Sequence, residues 1–271
     1  VWLYMIVPKG FFPVQDTGVI LGISDAPQNT SFAAMAERQQ ALARVVLQDP
    51  AVESLSSFIG IDGTNITLNS GRIQINLKPL EERRINASDV IRRLQPELSK
   101  VDGITLFMQP IQDLTVESRV SRTQYQYSME TPDQAELDEW APRLVEKLQT
   151  LPQLRDVASD QQTQGQKLHL VIDRDTTARL GITPLMIDEA LYNAFGQRQI
   201  STMFTQLNQY RVVLEVLPEF RDQANDLDHV YIRTATGKSV PLSSLTTTAR
   251  EKTALSNNHQ GQFPVTTISF N

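Results

Sequence analysis

The sequence predicts an α+β chain on the split βαβ plan, and three observations predict it. Segments of strand and helix periodicity follow one another as β-α-β-β-α-β over residues 19–108. A second β-α-β begins after them. The last strand, Val265–Phe270, has the alternation needed to continue that second unit across an interrupting insert.

Val19, Leu21 and Ile23 alternate with Ile20, Gly22 and Ser24, as a strand does. Ser31 is suited to cap a helix running to about Leu47, with Met35, Leu42, Val45 and Val46 on one side. Asp49-Pro50 ends it. A strand over Val52–Ile59, a polar loop over Gly60–Ser70 and the clean alternation of Arg72–Leu77 follow. Ser88 is expected to cap the next helix, whose apolar stripe is Val90, Ile91, Leu94 and Leu98. Asp102-Gly103 turns into the strand Ile104–Met108. This order is the ferredoxin-like arrangement.

The pattern restarts with a strand over Thr123–Met129. Thr131-Pro132 is expected to open a helix that turns Leu137, Trp140, Ala141, Leu144, Val145 and Leu148 inward, with Pro142 inside it. A proline turn and a strand through Val157 come next. Helix, proline turn and strand succeed one another here as they do around Leu47-Gln48-Asp49-Pro50, a faint internal repeat. Polar Gln161–Gly165 marks a boundary. Beyond it Leu168, Leu170 and Ile172 read as a strand, and Asp173-Arg174-Asp175 as a solvated turn. Thr183-Pro184 starts a helix with Ile187, Ala190, Leu191, Ala194 and Phe195 as its stripe, stopped by Gly196. Strands are expected over Ile200–Thr205, Tyr210–Val216 and Val230–Arg233, and a hairpin at Thr236-Gly237-Lys238 returns to Val240-Pro241-Leu242. The insert is therefore a small mixed α/β body. A second unit without a closing helix and strand would have an open sheet edge and an uncovered apolar patch near Leu137, Trp140 and Ile268.

Composition narrows function. The chain has 271 residues, a net charge of −6 and no Lys/Arg-rich run, which argues against nucleic acid or an anionic membrane surface as partner. It has no cysteine, so disulfides, thiol nucleophiles and thiolate metal sites are excluded. His169, His229 and His259 lack paired-ligand spacing. Gly60–Asn65 fails both the calcium-loop and the P-loop patterns, and no Ser stands in Gly-x-Ser-x-Gly. Binding features are better supported than catalytic ones: the Gly60–Ser70 loop and the compact tip at Thr236-Gly237-Lys238 both suit contact with a ligand or partner. Val1–Val7 reads either as a buried strand or as the last turns of a transmembrane helix, with Trp2 and Tyr4 at the interface and Lys9 on the water side.

Several stretches resemble resistance-nodulation-division (RND) drug efflux pumps. Pro8–Gly18 resembles the stretch that follows their seventh transmembrane helix. Asn193–Thr202 and Asn208–Val213 resemble the MdtB/MdtC branch, and Asp62–Asn65, Arg122–Tyr125 and Phe263–Thr267 tilt the resemblance towards MdtB-like members. It extends over essentially the whole chain.

The resemblance implies the second large periplasmic loop of an inner-membrane pump subunit in bacteria, with no enzymatic activity, cofactor or metal. Residues 1–8 would end transmembrane helix 7. Residues 9–117 would form the porter subdomain PC1, 118–162 with 254–271 an incomplete PC2, and 163–253 the docking subdomain DC. PC1 and PC2 flank a drug-entrance cleft in such pumps. By position the glycine-rich switch loop falls on Gly60, Asp62, Gly63 and Asn65; Phe58, Ile61 and Gln74 face the deep pocket; Phe107 and Gln109 lie at the entrance cleft. The docking hairpin is Thr236, Gly237 and Lys238. The implied partners are MdtB/MdtC-like subunits in a trimer, an MdtA-like periplasmic adaptor and a TolC-like outer-membrane channel. Better-known pumps line the deep pocket densely with phenylalanine, whereas Ser56, Ile61, Gly63 and Gln74 stand here. Aromatic stacking supplies much of the binding of planar apolar drugs, so amphipathic, bile-salt-like substrates are expected. The alternative is a free-standing periplasmic ligand-binding or adaptor module. A ferredoxin-like enzyme such as a small phosphatase lacks a catalytic Arg/Asn pair.

Overall fold

The computed structural model describes residues 15–61, 65–113, 121–220, 224–234 and 236–271. The expected end of a transmembrane helix at 1–8 and the first part of the Pro8–Gly18 stretch lie outside these residues. Among the described residues, no helix is long and apolar enough to cross a membrane. Contacts divide the chain into two units. One comprises the described residues up to Gly165 together with Thr253–Asn271, and the other is Gln166–Lys252.

The first unit opens with β1 (Val19–Asp25), α1 (Phe32–Leu47), β2 (Val52–Ile59), β3 (Ser70–Leu77), the short α2 (Leu80–Arg83), α3 (Ala87–Leu98) and β4 (Thr105–Pro110). The strands lie in the order β2-β3-β1-β4, each neighbour antiparallel. This is the split βαβ sheet: β3 separates β1 from β2, and β1 separates β3 from β4. Alternation sends Ile20, Ile73, Ile75, Leu77, Leu106 and Met108 to one face, where they pack with Met35, Leu42 and Val46 of α1 and Val90, Leu94 and Leu98 of α3. Each such side chain contributes about 1.5–3 kcal/mol on burial.

Polar contacts fix the helix ends. Ser31 caps α1, its hydroxyl accepting from the Ala34 N–H. The cap of α3 is Asn86, not Ser88: the Asn86 side chain accepts from the Asp89 N–H at 2.8 Å, and Ser88 falls inside the first turn. Arg93 donates to both Asp49 oxygens, at 2.9 and 2.6 Å, joining α3 to the end of α1. Asp16 accepts from the N–H groups of Gly18 and Ala87, each at 3.0 Å, and from Arg83 Nη2 at 2.6 Å. Burial pushes the Asp16 carboxyl upward. The Arg83 hydrogen bond, the two N–H donors and the Arg83 charge outweigh that and hold it below its ordinary value.

The chain continues with β5 (Tyr125–Glu130), α4 (Gln134–Gln149) and the two-residue β6 (Ala158–Ser159). Helix α4 starts later than Thr131-Pro132, because Asp133 caps it by accepting from the Ala135 N–H. Strand β6 begins after Val157 rather than ending there. Leu137 and Ala141 are buried, but Trp140 is 54% exposed, contrary to the inward stripe. Arg143, three residues on, lies 5.0 Å above the Trp140 ring and gives it a cationic neighbour in solvent.

The insert holds β7 (Gly165–Ile172), α5 (Arg174–Arg179), α6 (Pro184–Phe195), β8 (Arg198–Phe204), β9 (Gln209–Leu214), β10 (Tyr231–Arg233), β11 (Ser239–Pro241) and β12 (Thr246–Thr253). They pair as three two-stranded ladders, β7 with β12, β8 with β9 and β10 with β11. The core of this second unit gathers Ile182, Ile187, Leu227, Val230, Ile232, Leu242 and Leu245. Asp173-Arg174-Asp175 is a helix start rather than a turn, since Asp173 accepts from the N–H groups of Asp175 and Thr176. Phe195 ends α6 at the surface instead of continuing its apolar stripe. Gly196 follows α6 without a left-handed φ, and glycine fits there because an added Cβ would clash with Tyr192 Cδ2. Gln197 takes the positive φ instead, at 51°.

The chain then returns through β13 (His259–Gln260) into β14 (Phe263–Phe270). Strand β14 pairs antiparallel with β5 on one side and β6 on the other, the place β3 holds in the first sheet. Asp160 Oδ1 accepts from the Thr267 N–H at 2.7 Å, and Oδ2 from Asn258 Nδ2 at 3.0 Å, which fixes the register. Leu137 and Ile268 are buried, so of the expected apolar patch only Trp140 is uncovered.

Candidate substrate-facing site

Among the described residues, helices pack against one face only of the first sheet. Its other face takes the alternate residues of every strand, and the register aligns them in rows. One row runs Phe58, Arg72, Ile23, Phe107 across β2, β3, β1 and β4. The next runs Ser56, Gln74, Leu21, Gln109. Four residues singled out from the sequence, Phe58, Gln74, Phe107 and Gln109, thus share this helix-free face although they stand on three different strands.

The two edges of the face differ. On the β2–β3 side Phe58 is 57% exposed, and Ser56 and Gln74 are exposed as well. On the β1–β4 side Ile23 is only 2% exposed, yet it is absent from the core beneath the helices. The chain entering β5 lies over it. Gln109 Nε2 donates to the Ser121 carbonyl at 3.1 Å, and Arg122 Nε stands 3.3 Å from Asp25 Oδ2. The face is thus half covered and half open, with a phenyl ring on each side.

The loop after β2 is tied at both ends. Gly60 adopts φ +89°, which a residue with a Cβ avoids, and its N–H donates to the Ser70 carbonyl at 2.8 Å. At the far end Asn69 Nδ2 donates to the Ala26 carbonyl at 2.9 Å and the Ala26 N–H donates to the Asn69 carbonyl at 2.9 Å. Below the loop Gln39, buried in α1, accepts from the Ser24 hydroxyl and donates to Ser57 at 3.0 Å. Gly71 completes this base: an added Cβ would meet the Phe58 carbonyl at 2.8 Å, Ser24 Oγ at 2.8 Å and Gln39 Nε2 at 2.9 Å. Ile61, Ile66 and Leu68 project from the loop and are exposed, and Asn65 is half-buried. Asp62 and Gly63 lie outside the described residues.

In the second unit the β10–β11 turn is closed by Thr234. Its N–H donates to the Lys238 carbonyl at 2.8 Å and its carbonyl accepts from the Gly237 N–H at 2.9 Å. Thr236, Gly237 and Lys238 form the exposed tip, with Gly237 at φ +81°. Of the histidines, His169 stands 3.5 Å from Glu251 Oε2 and His229 meets the Phe220 ring edge-on. No group of His, Cys, Asp or Glu able to hold a metal occurs among the described residues. Phenyl rings, amides and an aliphatic floor are surfaces for reversible binding of amphipathic molecules.

Arg122, Asp25, Leu21 and Ile23 belong to this face and were missed as site residues. Leu21 and Ile23 alternate correctly, but a single-strand pattern cannot say which face the helices leave open. Arg122 sits in a polar run and reads as a solvated charge.

A ferredoxin-like unit, a second and interrupted one, and a mixed insert define an α+β fold. The AcrB/AcrD/AcrF family model matches residues 1–271, and the chain belongs to that family of RND efflux transporters, which are not enzymes. Its fold is similar to that of a heavy metal efflux pump in two crystal forms. The TM-score is 0.84 for each at 18% identity, with 100% of this chain covered and 28% and 29% of the pump chain. The chain therefore spans less than a third of that pump's length.

Proposed function

We propose that this chain is the periplasmic substrate-binding and docking portion of a proton-driven, inner-membrane RND efflux pump subunit of the MdtB/MdtC branch, MdtB-like in kind. The observation that carries it is the row Phe58–Arg72–Ile23–Phe107 on the helix-free face, open at one end and roofed at the other. In this reading PC1 takes residues 9–117, PC2 takes 118–162 with 254–271, and DC takes 163–253. The Gly60–Ser70 loop separates a deep pocket near Phe58, Ile61 and Gln74 from an entrance near Phe107 and Gln109. The tip at Thr236-Gly237-Lys238 faces the periplasmic adaptor and the outer-membrane channel, in a trimer with MdtB/MdtC-like subunits. A lining of two rings among amides and hydroxyls suits amphipathic drugs and bile-salt-like molecules better than wholly apolar ones. Proton coupling belongs to ionisable groups within a membrane, so these sheets receive their conformational drive from elsewhere in the pump.

The test uses the full-length pump. Phe58→Ala and Phe107→Ala should each change the pattern of resistance across a panel of drugs and bile salts while subunit assembly stays intact. Unchanged resistance to every compound would sink the site assignment.

A further inference from the structure

Arg72 stands in the Phe58–Arg72–Ile23–Phe107 row, directly across from Phe58 on β2 and Ile23 on β1. It is half-buried, and among the described residues it makes no ion pair, hydrogen bond or ring contact. Its neighbours on this face leave its charge unmatched. Ser56 and Gln74 occupy the next row, and both are neutral and exposed. Asp25 lies one row the other way, opposite Ser70, and is already paired with the buried Arg122 at 3.3 Å. Arg83 and Arg93, by contrast, each have a carboxylate at 2.6 Å, Asp16 and Asp49. Arg72 is thus a cation without a counter-charge on the open side of the face, beside a phenyl ring that is 57% exposed.

We infer that Arg72 is a specificity-determining residue: its guanidinium takes the carboxylate of an anionic amphiphile from the open side of the sheet, with the ligand's apolar body on the Phe58 ring. This rests on the transport reading above and names the substrate class of that site. Access comes from the exposed surface around Arg72: Phe58, Ser56 and Gln74 all face solvent, with no helix packed over them among the described residues. Cross-strand neighbours lie about 5 Å apart, and residues two apart on one strand about 7 Å. A carboxylate on Arg72 therefore leaves the ring within reach of the adjoining carbons, and Ser56 and Gln74 within reach of hydroxyl groups further along the ligand. Binding forms charge-assisted hydrogen bonds and breaks no covalent bond. An ion pair at a partly exposed position of this kind is worth about fivefold in affinity.

The experiment measures export by the full-length pump of a dihydroxy bile acid and of its methyl ester, which differ only in the carboxylate. Efflux is normalised to the pump's abundance in the membrane. Arg72→Gln, which removes the charge and keeps a polar side chain, should lower the acid-to-ester efflux ratio about fivefold. Arg72→Lys, which keeps the charge, should retain most of the ratio. Arg92→Gln, which removes a charge from the exposed side of α3, should leave the ratio as it is. An unchanged ratio in Arg72→Gln would overturn the inference. An equal fall in Arg92→Gln would assign the effect to overall charge, and an equal fall in Arg72→Lys would assign it to packing; either would overturn the inference too. Failure of the unsubstituted pump to export either compound would instead remove the transport reading, and the inference with it.

Discussion

Replacing Gly71 by Ala should loosen the base of the loop that borders the open face. Gly71 has no left-handed φ, so only space excludes a side chain there. The new Cβ would meet the Phe58 carbonyl and Ser24 Oγ at 2.8 Å and Gln39 Nε2 at 2.9 Å. These are about half an ångström inside ordinary contact. The Phe58 carbonyl belongs to the β2–β3 ladder, where Ile59 stands opposite Gly71, so it cannot retreat without opening that ladder. Overpacking of this kind costs about 1–3 kcal/mol. Displacing Ser24 from Gln39 adds about 1 kcal/mol. The lower chain entropy of Ala in the unfolded state returns about 0.5–1 kcal/mol. The net expectation is a loss of about 1–3.5 kcal/mol, or about 2–14 °C in a chain of this size. Urea and thermal unfolding followed by circular dichroism would measure it, with hydrogen exchange at Phe58 and Ile59 to locate it. Ser24→Ala in the same background removes one of the three obstructions and should recover about 1 kcal/mol, a coupling read from the double-mutant cycle. A loss below about 0.5 kcal/mol, the level of an ordinary surface change, would show that the close approach at Gly71 does not constrain the loop base.

Other consequences can be checked on the same chain. The Asp16 carboxyl is held below its ordinary value, so its contribution is complete above about pH 4 and is lost as pH falls through the lower, folded value. Asp16→Asn, which removes the ion pair while Arg83 keeps its bonds to the Lys78 and Ile85 carbonyls, should cost about 1 kcal/mol at neutral pH. That difference should shrink in acid, and parallel pH profiles would contradict the assignment. Strand β5 pairs with β14 on one side and has no strand on its other side among the described residues, while Tyr125 and Tyr127 are exposed along it. Light scattering should therefore show concentration-dependent association of the 271-residue chain, reduced by a charge on that edge such as Ser128→Lys. Equal association of both forms would place the contact elsewhere.

Much of the fold was legible because its signals are local. Ile73, Ile75 and Leu77 alternate so cleanly that strand, buried face and register follow together. Thr183-Pro184 announced α6 through a cap and an N1 proline, and the Thr183 side chain does accept from the Met186 N–H. Caps failed where two suitable residues stood close together, as with Asn86 and Ser88, since the choice depends on which side chain the next turn's N–H groups face. Strand β12 was invisible: Thr246–Thr253 is polar on both sides and is held by its ladder with β7, so no apolar period reports it. The open face was legible only through the family resemblance. Its residues are ordinary Phe, Gln and Leu, and what makes them a surface is the absence of a helix above them. Arg122 was the least legible, because its burial is imposed by a sheet that begins about a hundred residues earlier.

The place of β14 in the second sheet has a consequence for biosynthesis. Strands β5 and β6 both hydrogen-bond to β14, but β6 ends at Ser159 and β14 starts at Phe263. At about 5–20 residues per second, a ribosome spends about 5–20 s between them. The four strands of the first sheet are complete before β5 is made. Helix α4 has no finished sheet to rest on until the insert has been synthesised. For that interval Leu137 and the inner edges of β5 and β6 are available to anything nearby, which makes the nascent second sheet the stage at which a chaperone or a neighbouring nascent chain would find this protein.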